Sequence, residues 1–115
     1  MGIDHSSEGV LTVDLLPEPE MGTELETVAN IVRERADCDV VVDFSSVDIV
    51  TSSSISKLLK LRKLLGDCRR ELVLCGAAPA TEGIFKVAGL DAVFEFTPDK
   101  SSALASIRHV QPVKN

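Results

Sequence analysis

Two periodicities meet in the middle of this chain. Val40, Val41, Val42 and Phe44 form an apolar, β-preferring run interrupted only by Asp43, the pattern of a strand covered on both faces. From Ile55 the spacing changes, and Ile55, Leu58, Leu59, Leu61, Leu64 and Leu65 recur at three- and four-residue intervals, as one face of a helix requires. Strand therefore gives way to helix around Thr51, Ser52, Ser53 and Ser54, four hydroxyl residues in succession. At a helix start the unpaired N–H groups and the positive end of the dipole attract acceptors and anions, so this bend suits a phosphate.

The same reading extends in both directions. Gly2 to His5 is a short candidate edge strand, Ser6 to Gly9 a turn, and Val10, Leu11, Val13, Leu15 and Leu16 a second strand, together an antiparallel hairpin. Pro17 and Pro19 stop it, because proline cannot donate to a ladder. Thr23 to Arg35 reads as a helix with Leu25, Val28, Ala29 and Val32 inward, Thr23 as its cap and Glu26 as the capping-box partner. Beyond Gly66-Asp67, Glu71 to Cys75 is a strand ended by Gly76, which makes the centre of the chain a βαβ unit with a parallel pair. Pro79 to Ala88 is a short helix closed by Gly89 at C′, Val93 to Phe96 a brief edge-like strand, and Asp99 to Val110 a last helix with Leu104 and Ile107 inward. The expected fold class is α/β: a mixed sheet of four to five strands, parallel in its second half, with about four helices in one domain spanning 1–115.

Composition narrows the function. Without Trp or Tyr and with only four Phe, the core is expected to be aliphatic, and bases of a nucleic acid would find no aromatic platform. A net charge of −6 argues further against a nucleic-acid partner, since affinity there depends on cations neutralising phosphates. Cys38, Cys68 and Cys75 include no C-x-x-C pair, so they read as reduced thiols in the cytoplasm, with Cys38 and Cys75 buried. No apolar run approaches a membrane span and no leader pattern opens the sequence, so no membrane insertion is expected.

Candidate chemistry is sparse. Asp43 and Asp48 lack a nucleophile, base and orienter around them, and strand-end solvation is the expected role. His5 and His109 have no ligand spacing to another His or Cys, and no Gly-rich phosphate loop is present, so neither a metal, a cofactor nor an enzymatic activity is expected. Lys57, Lys60 and Lys63 fall three apart on the face opposite Leu58, Leu61 and Leu65 and form one stripe with Ser53 and Ser56. That stripe is either a solvated face or a docking surface whose sign suits an acidic partner. Ser52 reads on its own as a helix cap.

The run Asp43-Phe44-Ser45-Ser46-Val47-Asp48-Ile49-Val50-Thr51-Ser52-Ser53-Ser54-Ile55 resembles the signature of STAS domains, the anti-sigma factor antagonists, commonly written Asp-Leu-Ser-x-Val-x-x-Ile-Asp-Ser-Ser-Gly-Leu. The order of predicted elements and the downstream Gly89-Leu90 resemble the family too. Thr51 stands where the family has aspartate and Ser54 where it has glycine, while no residue carries over from the Pro17 to Met21 loop. The resemblance implies phosphorylation at Ser52, with Ser53 and Thr51 as alternatives. The partner would be an ATPase-like anti-sigma factor that doubles as a serine kinase, opposed by a phosphoserine phosphatase. On that reading Thr51, Ser52, Ser53, Ser54, Ser56, Lys57 and Lys60 meet the partner, the unphosphorylated protein docks and releases a sigma factor, and the protein is a monomer or weak homodimer. The alternative is a constitutive STAS scaffold or transporter-associated subunit in which the serine cluster is only a helix cap.

Overall fold

The computed structural model describes residues 3–7, 9–35 and 37–110, with side chains over 9–35 and 37–107. The expectations for Gly2, the side chains of His5, His109 and Val110, and the tail after residue 110 lie outside the described residues. Strands β1 (Ile3–Ser7), β2 (Val10–Asp14), β3 (Asp39–Asp43), β4 (Leu72–Cys75) and β5 (Glu95–Thr97) lie side by side in chain order. β1 is antiparallel to β2 and every other neighbouring pair is parallel, which is the mixed sheet read from the sequence. Helices α1 (Glu20–Arg35), α2 (Ser52–Asp67), α3 (Pro79–Val87) and α4 (Lys100–Val110) follow β2, β3, β4 and β5 in turn.

Because side chains alternate along a strand, the sheet builds two cores. Leu11, Val13, Val40, Val42, Leu72 and Leu74 face one way and pack with Leu25 and Val28 of α1, Leu58 and Leu61 of α2 and Phe85 of α3. Val10, Val41, Val73 and Cys75 face the other way, against Ala103 and Ile107 of α4. This two-sided cover is why β3 and β4 read as unbroken apolar runs. The four phenylalanines gather in one place, with Phe44, Phe94 and Phe96 meeting the Phe85 ring edge-on at 6.2, 5.5 and 5.3 Å between centroids. Each such contact adds about 0.5–1.5 kcal/mol beyond its buried area. α3 ends as expected: Gly89 at φ 77 and Leu90 donate to the carbonyls of Lys86 and Phe85, which closes the last turn.

Several boundaries move for physical reasons. β2 stops at Asp14, although Leu15 stays buried and its N–H reaches the Asp43 carbonyl at 3.0 Å. α1 begins at Glu20, so Thr23 lies inside it and is not its cap, and Glu26 serves α2 instead of a capping box. β5 is only Glu95–Thr97, because the backbone N–H groups of Val93 and Phe94 turn back to Leu90. In α4 the buried residues are Ala103 and Ile107, with Leu104 packed at their margin.

Candidate functional site

The hydroxyl run ends β3's loop and starts α2, and its members have separate roles. Thr51 is extended, at φ −96 and ψ 164, and its side chain accepts from the Ser54 N–H at 3.1 Å. Thr51 is therefore the N-cap, not Ser52, with an expected worth of about 0.5–2 kcal/mol. Ser52 is the first helical residue and exposed, and among the described residues no hydrogen bond engages its hydroxyl. Ser53 is exposed beside it, whereas Ser54 is 1% exposed.

Sequence reading missed the group that completes this bend. The first turn of α2 has no acidic residue, and the charge its dipole attracts arrives from the loop between β2 and α1. Glu18 Oε2 accepts from the Thr51 hydroxyl at 3.1 Å and from the Ser54 hydroxyl. A carboxylate at such a helix end is stabilised by about 0.3–1 kcal/mol through the dipole. The two hydroxyls that hold Glu18 stand where the STAS signature has aspartate and glycine. A second carboxylate secures the same loop, as Glu24, 4% exposed, accepts from the Leu16 N–H at 2.8 Å. Leu16 and Ile49 are exposed large apolar side chains, 37% and 66% accessible, two residues before Glu18 and two before Thr51 respectively.

The lysine stripe is not a single exposed row. Lys57 is 28% exposed and bridges to Glu26 of α1 at 2.9 Å, so α1 draws it into the crevice between the helices. Lys60 lines that cleft of about 300 Å³ with Glu26, Asn30 and Arg33. Lys63 pairs with Asp67 one helical turn on, and Ser53, Ser56, Lys60 and Lys63 remain exposed. Arg62 is exposed and donates to the Val93 carbonyl at 2.8 Å.

Asp43 also departs from expectation, while Asp48 is exposed as expected. The Asp43 carboxylate accepts the Ser45 N–H at 2.8 Å and the Ser45 hydroxyl, and it lies 3.9 Å from Lys100, which also pairs with Asp14. The chain just after β4 approaches the same turn closely: Gly76 sits at φ +69, and a Cβ there would lie 2.6 Å from both Asp43 Oδ1 and Ser45 Oγ. Cys38 and Cys75 are buried and free. Burial pushes both thiols up, Cys75 to about 11 with Asp43 adding to the effect, which disfavours the thiolate a nucleophile needs. Among the described residues no group of three His, Cys, Asp or Glu could hold a metal ion, and no helix is long and apolar enough to cross a membrane.

The family model for the STAS domain matches residues 23–103. The chain belongs to the STAS domain family. BtrV of Bordetella bronchiseptica, described as an anti-sigma factor antagonist, is 26% identical over 89 residues, 77% of this chain and 75% of that protein. An anti-sigma factor antagonist from Mycobacterium paratuberculosis superposes with a TM-score of 0.77 at 23% identity, covering 92% of this STAS chain and 91% of the other. The antagonist SpoIIAA superposes in its unphosphorylated form with a TM-score of 0.74 at 12% identity, over 96% and 97% of the two chains. The phosphorylated Bacillus form gives 0.70 at 13% identity, over 92% and 97%.

Proposed function

We propose that this STAS chain, as one domain over 1–115, is a cytoplasmic anti-sigma factor antagonist and not an enzyme. It docks an anti-sigma factor that doubles as a serine kinase, and it releases a sigma factor while Ser52 is unmodified. The observation that carries the reading is the state of Ser52: an exposed hydroxyl with no hydrogen bond among the described residues, beside a cap already supplied by Thr51. Ser53 shares the exposure, and Thr51 is engaged in the cap. In the modifying step the Ser52 Oγ–P bond forms as the terminal P–O bond of the donor nucleotide breaks, and the hydroxyl proton passes to a base of the kinase. A phosphatase reverses it with water. Leu16 and Ile49 offer exposed apolar side chains and Ser53, Ser56 and Lys60 exposed polar ones, the two kinds of residue that a protein contact combines. Resemblance to antagonists, one of them solved in a phosphorylated form, supports the same reading.

A phosphate adds about −1.5 to −2 charge at neutral pH. Placed within a face that packs against a partner, it should weaken docking more than tenfold, about 1.4 kcal/mol. Calorimetric titration of Ser52→Ala and Ser52→Asp against the anti-sigma kinase tests this, with thermal unfolding run alongside. Ser52→Ala should bind nearly as wild type and resist phosphorylation, while Ser52→Asp should fold and bind poorly. Equal binding of the two would leave the constitutive scaffold as the function.

A further inference from the structure

The anion seat at the start of α2 is already taken by Glu18. Its one oxygen, Oε2, gathers two hydroxyl donors, from Thr51 and from the buried Ser54. Ser52 stands between those two residues in the chain, so any charge on it is added next to the carboxylate. Glu18 is reached across 33 and 36 residues of sequence, and its contact fixes the β2–α1 loop against α2. The loop's other end is held separately by Glu24 through the Leu16 N–H.

We propose that Glu18 is the positioning residue that carries modification of Ser52 to the β2–α1 loop. A phosphate on Ser52 takes the helix N-terminus, expels the Glu18 carboxylate and lets the Pro17–Pro19 segment of the loop leave α2. The seat favours one anion, because its dipole is equivalent to only about half a unit of positive charge. Two anions there repel within a Debye length of about 8 Å. The phosphate is tethered one residue into the helix, whereas Glu18 hangs on a loop, so the carboxylate yields. The docking face then changes shape near Leu16 as well as charge at Ser52. This deepens the proposed role of Ser52 and rests on it only for the physiological trigger.

The test uses the full chain with phosphoserine installed at position 52 during translation, so no kinase is needed. Backbone NMR signals of Glu20 and Met21 should move to the positions they take in unmodified Glu18→Ala, while β3 and β4 signals stay in place. Glu18→Gln keeps an acceptor for the hydroxyls but removes the charge, so installed phosphate should raise Tm more in Glu18→Gln than in wild type. Loop signals that move in Glu18→Ala but ignore phosphoserine overturn the proposal. So does an equal Tm change in the two backgrounds. Failure of a kinase to modify Ser52 would count against the proposed function alone and leave these results standing.

Discussion

Two helices in this STAS domain begin at the same end of the sheet, yet their starts are built differently. α4 is closed from within: Asp99, just before it, accepts the Ser102 N–H at 2.8 Å, and that bond lowers the Asp99 carboxyl below its usual range. α2 is closed by a neutral hydroxyl, Thr51, and takes its negative charge from Glu18 in another loop. A local cap makes a helix start independent of the rest of the fold. A borrowed carboxylate makes it a junction, so a change at α2 is felt by the loop after β2.

The largest effect comes from removing what anchors α2 as a body. Leu58 is fully buried in the larger core, and Leu58→Ala should cost about 2–5 kcal/mol. Urea unfolding measures it, and a loss under about 1 kcal/mol would mean that α2 is not held by this face.

A sharper cut compares the caps. Thr51→Ala and Asp99→Ala should each destabilise by about 0.5–2 kcal/mol. Only the first should couple to Glu18: a Glu18→Ala/Thr51→Ala cycle should show an interaction of about 0.5 kcal/mol or more, while Glu18→Ala with Asp99→Ala should add within about 0.3–0.5. Additivity in both cycles would erase the distinction between the two starts.

The remaining effect belongs to the α4 side and appears only at alkaline pH. Burial raises the Cys75 thiol from 9.0 to about 11, so the folded state holds its proton more tightly than the unfolded chain. The resulting stability is complete below about pH 9 and is lost as pH climbs toward about 11. Lys100, raised by its bond to Asp14, fades in the same direction at the upper end of that range. Unfolding of Cys75→Ala across this window should show a flatter decline than wild type, and a parallel decline would remove Cys75 as its source.

What was legible in the sequence follows the range of the forces involved. β3 and β4 announced themselves because both faces are covered, and Gly89 because a left-handed C′ position selects glycine. Ser52 could be singled out from neighbours a few residues away. Glu18 could not: a side-chain contact across 33 residues imposes no period and no composition. Lys57 left the expected exposed stripe for the same reason, since its partner lies on α1 and nothing within α2 encodes how that helix lies beside it. Asp43 looked like a solvated strand end until the fold brought Ser45, Gly76 and Lys100 around it.

That crowding at Gly76 constrains how the sequence can drift. With φ +69 and only 2.6 Å between a hypothetical Cβ and both Asp43 Oδ1 and Ser45 Oγ, a side chain at position 76 is strained and pushes the Asp43 and Ser45 side chains aside. A substitution there must displace that turn, which leads from β3 toward the loop ahead of Ser52. Residues 43, 45 and 76 thus form one steric unit, and the segment ahead of Ser52 keeps its course only while the residue after β4 lacks a side chain.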